Sequence, residues 1–300
     1  MKAISLSGGG SSGCFEAGFL YRIFHEIEFD KISGTSVGAL NSILLIQAYI
    51  ENNPEVIKKA WMDIKGNKSI FSVNWFNLLR LKSPFSFKPL QDIAKQVANF
   101  DKIIGHKKQV FITSTDLISG QTIYFSNWNS SKHDFQEAIL ASASLPFFLP
   151  PVKIGNHMLV DGGIRENAPI SKLLENKEID EIVIVLANTF DISIKNDPPN
   201  FNNPLNTIFR MLEIFSNKVT FGDIRGIVRI NEILKNNPNI FTHKRILKTN
   251  IVFPSHHIVN GTLNFDPIQI KKGFDLGIKY AEKFLEEYKT NSNEIFVTDI

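Results

Sequence analysis

Short apolar runs alternate along this chain with longer stretches in which apolar residues recur at helical spacing. Such a pattern describes buried strands, each followed by a covering helix. Ala3 to Ser7 reads as a first buried strand, and about Phe15 to Ile27 as the helix after it. Lys31 to Ser33 is extended, and Ala39 to Ile50 runs without a breaker until Asn52-Asn53-Pro54. A short helix over Glu55 to Ile64 follows. Gln109 to Thr113 reads as a buried strand, with Gln121 to Phe125 returning after a turn. Asp134 and Glu137 have the spacing of a capping box, which opens a helix from Phe135 to Ala143. Val152 to Ile154 and Met158 to Val160, joined by Gly155-Asn156, read as a hairpin. Ile182 to Leu186 and Ile251 to Phe253 are further strands. Leu205 to Leu234 is expected to form helices broken near Phe221-Gly222-Asp223. In the last helix Asp266 is the cap, Pro267 takes the first position, and Ile270, Phe274, Ile278, Ala281 and Leu285 share one face. The alternation predicts an α/β fold around a mostly parallel sheet. With no repeat and no linker, residues 1–289 read as a single domain and 290–300 as a loose tail.

Composition narrows the class. A chain of 300 residues, 43% of them hydrophobic, is long enough for one large core. The net charge of +3 comes without a dense Lys/Arg stripe, which argues against a nucleic-acid polymer as partner but is compatible with an anionic membrane surface. The single cysteine, Cys14, precludes an internal disulfide and fits a reducing compartment, where it packs as a small apolar residue. The longest apolar run, Ile43 to Ile50, is far too short to span a bilayer. A soluble cytoplasmic protein is expected, with peripheral contact to a membrane. Aromatic, apolar and basic residues mix without a clean period from Ile70 to Lys82 and on through Pro84 to Phe87. They read as a segment folded over the core, or as a lid over an acyl-chain site.

Two stretches carry candidate chemistry. Gly34-Thr35-Ser36-Val37-Gly38 is a G-x-S-x-G pattern placed between a strand and a helix, as in a nucleophile elbow. A sharp turn exposes the serine, Gly34 and Gly38 leave it room, and the helix N-terminus favours an adjacent anion. Upstream, Gly8-Gly9-Gly10-Ser11-Ser12-Gly13 joins the first strand to the first helix. It lacks the Gly-Lys-Ser/Thr ending of a phosphate loop. It satisfies the G-x-G-x-x-G expression, yet no acidic residue ends a second strand at the dinucleotide-binding distance. An oxyanion hole is the remaining use, and the nearby elbow favours it. Ser36 then needs a base. A triad would draw on His243, His256 or His257, none with a local signal, whereas a dyad would use a carboxylate directly, with Asp161 before Gly162-Gly163 as the candidate.

The chain resembles the patatin-like phospholipases. The resemblance rests on Gly8-Gly9-Gly10-Ser11-Ser12-Gly13, Gly34-Thr35-Ser36-Val37-Gly38, the run Ala141-Ser142-Ala143-Ser144-Leu145-Pro146-Phe147-Phe148-Leu149-Pro150-Pro151, and Asp161-Gly162-Gly163, in that order. Thr115-Asp116-Leu117 with Gly120, Asn167-Ala168-Pro169, and Asn264-Phe265-Asp266 with Gly273 extend it over nearly the whole chain. It implies a three-layer α/β/α sandwich and hydrolysis of lipid acyl esters without a metal or other cofactor. It assigns Ser36 as nucleophile and Asp161 as base, and backbone N–H groups of Gly8, Gly9, Gly10 and Ser11 to the oxyanion hole. Gly13, Gly34, Gly38, Gly162 and Gly163 are then motif glycines. One departure stands out: family members usually carry Arg or Lys where this chain has Ser12, so Arg22 or Arg165 would have to substitute. The expected substrate is a phospholipid or lysophospholipid at a membrane surface. Competing readings are an acyltransferase on the same site, and a signal-gated membrane-degrading effector or lipid-binding module. A homodimer and an unidentified small-molecule activator stay open.

Overall fold

A computed structural model describes residues 1–73, 83, 85–86, 88–191, 193, 200–236, 246–259, 261–290 and 296–297. Its strands are β1 (Lys2–Leu6), β2 (Lys31–Thr35), β3 (Ser72–Val73), β4 (Phe85–Ser86), β5 (Gln109–Asp116), β6 (Thr122–Ser126), β7 (Val152–Ile154), β8 (His157–Asp161), β9 (Glu181–Val185), β10 (Lys248–Val252) and β11 (Phe296–Val297). Its helices are α1 (Gly13–Ile23), α2 (Val37–Glu51), α3 (Glu55–Met62), α4 (Lys88–Val97), α5 (Phe100–Ile103), α6 (Lys132–Ser142), α7 (Ser171–Leu174), α8 (Pro204–Asn236) and α9 (Pro267–Thr290).

The main sheet runs β11-β10-β9-β1-β2-β5-β8-β7, with β6 also paired to β5. From β11 to β5 every pairing is parallel; β6, β7 and β8 join antiparallel. Central strands buried on both faces read as continuous apolar runs, which is how β1 and β9 stood out in the sequence. Side chains alternate between the two faces. Ile4, Leu6, Val183 and Val185 enter the core under α1, α2 and α9, while Ala3, Ile182 and Ile184 enter a second core with Leu173 of α7 and with Ile224 and Ile227 of α8. The result is the three-layer α/β/α sandwich.

Helices α1 and α9 pack backbone to backbone: a Cβ on Gly18 would lie 2.0 Å from the Phe274 carbonyl oxygen, and one on Gly277 would lie 2.0 Å from that of Phe15. Cys14 is fully buried against Gly273, and burial pushes its thiol up to about 12, consistent with a packing role. Asp266 caps α9, its Oδ1 accepting from the N–H groups of Ile268 and Gln269.

Several local readings need correction. The stretch expected to break at Phe221-Gly222-Asp223 is one continuous helix, α8. A lone exposed glycine costs only about 1 kcal/mol in a helix, and the Asp223 carboxylate caps no helix there. It accepts instead from the N–H groups of Asn167 and Ala168. Ser131, not Asp134, caps α6, its hydroxyl accepting from the Asp134 N–H at 3.0 Å. Of the tail expected to be loose, residues 291–295 and 298–300 lie outside the described residues, while Phe296 and Val297 form β11 and pair in parallel with Ile251 and Val252. Of the expected lid, residues 74–82, 84 and 87 lie outside the described residues. Flanking it, Phe71 packs against Phe85 and Phe265.

Candidate active site

Strand register assembles the site. β2 runs beside β5 as far as Thr35, which faces Thr113. The chain then leaves the sheet at Ser36 and enters α2 at Val37. β8 takes the vacated edge of β5, and Asp161 pairs with Ser114, the next residue along. The ends of β2 and β8 therefore meet. The Ser36 hydroxyl is thereby brought near enough to the Asp161 carboxylate to favour its charged form, and the two residues line one pocket.

Ser36 has φ 55° and ψ −122°, a conformation that costs a non-glycine residue about 1–3 kcal/mol. Surrounding contacts hold it there. The Ser36 N–H donates to Ser142 Oγ at 2.9 Å, and that hydroxyl donates to the Thr113 carbonyl at 2.6 Å. Gly34 and Gly38 make the turn possible: a Cβ on Gly34 would sit 2.2 Å from the Gly38 carbonyl oxygen, and one on Gly38 would sit 2.2 Å from that of Leu6. Gly13 is equally confined, since its Cβ would meet Val37 Cγ2 at 2.3 Å.

Asp161 is buried at the end of β8. Gly163 donates its N–H to Oδ1 at 2.8 Å, and Gly162 passes so close to β5 that a Cβ would lie 2.5 Å from the Thr113 carbonyl oxygen. Burial raises the Asp161 pKa to about 6, although the Ser36 hydroxyl and the Gly163 N–H both favour the carboxylate. A group in that range holds a carboxylate at neutral pH and is basic enough to take a proton.

The glycine loop faces this pair. A Cβ on Gly8 would approach Ser36 Cβ to 3.2 Å. The Gly8 N–H donates to the Asn167 carbonyl at 3.1 Å, and the Ser11 N–H to the Thr262 carbonyl at 2.8 Å. This corrects the expectation that Gly8 and Ser11 supply free donors, because both amides are already engaged. The N–H groups of Gly9 and Gly10 have no acceptor among the described residues. Gly10 has φ +58°, and a Cβ there would meet the Thr262 carbonyl oxygen at 2.1 Å.

Three polar residues to which the sequence assigned no role hold the site together. Glu16 of α1 is fully buried and accepts from the Ser7 N–H at 2.8 Å and from Asn41 Nδ2 at 2.9 Å, which ties the root of the glycine loop to the elbow helix. Burial pushes its pKa up to about 8. Asn167 Nδ2 donates to Thr220 Oγ1 at 2.7 Å and to the Gly8 carbonyl at 3.4 Å, linking α8 to the loop. Asp223 receives the Asn167 and Ala168 N–H groups at 3.2 Å each, and burial raises its pKa to about 7. A sequence signal existed for Asn167, which follows Asp161-Gly162-Gly163 in the Asn167-Ala168-Pro169 motif. Glu16 and Asp223 carried none.

The pair opens into an apolar pocket lined by Leu40, Leu44, Ile139 and Leu149 and by Phe209 and Leu212 of α8. No histidine is among its lining residues. His257 Nδ1 lies 3.9 Å from Glu213, His256 contacts Ser255, and His243 is outside the described residues. Arg22 is held by Glu26 and Glu282, each at 3.6 Å, Arg165 is exposed, and neither lines the pocket. Among the described residues no group of three His, Cys, Asp or Glu side chains could hold a metal ion.

A model of the patatin-like phospholipase family matches residues 4–174, more than half of the chain. The chain belongs to the patatin-like phospholipase family. That match spans the glycine loop, the elbow, Asp161 and Asn167. Among curated patatin relatives, lysophospholipase NTE1 of Scheffersomyces stipitis is 24% identical over 95% of this chain, and that of Candida albicans is 23% identical over 95%. This chain spans only 18% and 20% of those two proteins. Protein R571 of Acanthamoeba polyphaga mimivirus is 25% identical over 74% of this chain and 75% of its own length. The crystal structure of VipD from Legionella pneumophila aligns over 94% of this chain and 66% of that one, with a TM-score of 0.41 at 12% identity.

Proposed function

We propose that this chain is a serine lipid acyl hydrolase that cleaves fatty-acyl esters of phospholipids or lysophospholipids through a Ser36–Asp161 dyad. One observation carries the reading. A serine in a strained elbow stands beside a buried aspartate whose pKa is raised to about 6, and both line an apolar pocket together with the glycine loop. The family supports the reaction class, and the names of the fungal relatives support a lysophospholipid substrate.

In this reaction Ser36 Oγ attacks the ester carbonyl carbon while Asp161 takes the hydroxyl proton. The N–H groups of Gly9 and Gly10 receive the developing oxyanion, and the N-terminus of α2 adds its positive end. The C–O bond to the alcohol then breaks, and Asp161 returns the proton to that oxygen. Water attacks the acyl-enzyme, again giving its proton to Asp161, and Ser36 leaves with it as the fatty acid departs. The apolar pocket holds the acyl chain throughout and excludes bulk water.

The test is incubation of purified protein with defined phospholipids and lysophospholipids, with products identified by mass spectrometry. Free fatty acid is expected from the wild type and not from Ser36→Ala. An added acceptor alcohol that captured most of the acyl groups would replace hydrolysis with transfer. Fatty acid released equally by Ser36→Ala would remove the proposal altogether.

A further inference from the structure

The outward face of α8 is not used by the chemistry above. Met211, Ile214, Phe215, Lys218, Phe221, Arg225 and Arg229 recur at steps of three and four, so they form one stripe along the helix, about 27 Å long at helical rise. All are exposed: Met211 at 64%, Phe215 at 49%, Ile214 at 46% and Phe221 at 43%, with Lys218, Arg225 and Arg229 in the same class. Large apolar side chains aligned in this way are unusual on a water-facing helix, and cations interleave them. No acidic residue interrupts the stripe between Met211 and Arg229. Glu213 pairs with Arg210 at 2.7 Å, and Asp223 turns inward to Asn167 and Ala168. The next exposed acid on this face is Glu232, one turn past Arg229. None of Lys218, Arg225 and Arg229 is ion-paired to a described residue; Arg225 lies over the Phe221 ring.

The stripe is continuous with the pocket mouth. Phe215 is half exposed and also lines the pocket, beside Phe209 and Leu212. Phe209 stacks on Phe148 at 4.1 Å, and the neighbouring Phe147 is 70% exposed with φ 71°. Apolar side chains at the mouth with cations further along the helix match the interfacial region of an anionic bilayer, in which rings reach the acyl boundary while cations meet the headgroups.

We infer that the outer face of α8 docks on an anionic lipid bilayer and holds the pocket mouth against the surface, so that a lipid enters the pocket from the membrane. The inference rests on the lipid-hydrolase reading for its purpose, but the binding can be measured without catalysis.

The test uses Ser36→Ala protein and flotation with vesicles of phosphatidylcholine alone or mixed with phosphatidylglycerol. Binding to the mixed vesicles, weak on phosphatidylcholine and weakened by salt, is expected. Lys218→Gln/Arg225→Gln/Arg229→Gln should lower that binding about a hundredfold, with each cation near a surface contributing about a factor of five. In a chain with Ser36 intact, the triple variant should hydrolyse a soluble short-chain ester at the wild-type rate and lose activity on mixed vesicles. Equal binding by the triple variant and its parent overturns the inference, as does binding indifferent to lipid charge. So does a dimer in sedimentation equilibrium that Met211→Ser/Ile214→Ser dissociates, because the face would then belong to a second copy of this chain. Loss of soluble-ester hydrolysis in the wild type would refute the hydrolase and leave the vesicle measurement standing.

Discussion

If Asp161 is the base for Ser36, its protonation must switch the reaction off, and the pH at which it does so is set by the site. Burial raises the Asp161 pKa from the ordinary carboxylate range to about 6. A base with that value is about nine-tenths ionised at pH 7 and about one-tenth ionised at pH 5. The kcat/KM for a soluble, non-ionising ester should therefore fall about tenfold between these two pH values, and tenfold per unit below that. A soluble substrate matters, because lipid headgroups and vesicle binding titrate on their own account. Asp223, with a pKa near 7 and placed next to Asn167, is the group most easily confused with Asp161. Asp223→Asn should therefore leave the acid limb where it is, although the absolute rate will shift as α8 loses its hold on the Asn167 amide. Asp161→Asn should leave only a low, pH-independent residue of activity. An acid limb near pH 4 would mean that the catalytic carboxylate is solvated, and a limb abolished by Asp223→Asn would put the base elsewhere. Either result refutes the assignment.

The elbow and its supports give further expectations. Gly38→Ala would drive a Cβ to 2.2 Å from the Leu6 carbonyl oxygen, a backbone atom of the central strand. It should destabilise the protein by about 3 kcal/mol or prevent folding, as chemical denaturation would register. Ser142→Ala leaves the Ser36 N–H and the Thr113 carbonyl without their shared partner. A loss of about 1–3 kcal/mol is expected, with kcat falling and KM for the soluble ester little changed. Glu16 has a folded pKa of about 8, above its unfolded value, so the folded state holds the extra proton. The stability this group contributes is complete below its unfolded pKa and is lost as pH rises through about 8. Thermal scans should show Tm falling across that window, by up to about 1.4 kcal/mol per pH unit from this group, and Glu16→Gln should flatten the slope.

How legible the site was depended on the range of the interactions that build it. Ser36, Gly34 and Gly38 could be picked out because a sharp strand-to-helix turn demands small residues within a few positions of the serine. Asp161 was visible for a related reason: the hairpin that delivers it is local, and the glycines after it let β8 lie against β5. The parallel sheet followed from runs such as Ile182 to Leu186, whose burial on both faces leaves no polar alternation. Long-range contacts left no such trace. The carbonyl that engages the Ser11 amide belongs to Thr262, in a loop near the other end of the chain. Gly222 looked like a helix breaker, yet Asp223 spends its carboxylate on the Asn167 and Ala168 amides and α8 continues past both. Glu16 occupies a position that a helical pattern would give to an apolar side chain. It is tolerated there because Ser7 and Asn41, from two other elements, both donate to it. The edge strand β11 needs β10 beside it before Phe296 and Val297 mean anything.

The most direct measurement is covalent labelling with a long-chain fluorophosphonate, followed by peptide mass spectrometry and a time course of adduct formation. One adduct is expected, on the peptide that carries Ser36. It should form quickly in the wild type at pH 7.5 and at least a hundredfold more slowly in Asp161→Asn, the order of loss when a general base is removed. An adduct on another residue, or labelling of Ser36 at the same rate in Asp161→Asn, would contradict the Ser36–Asp161 dyad.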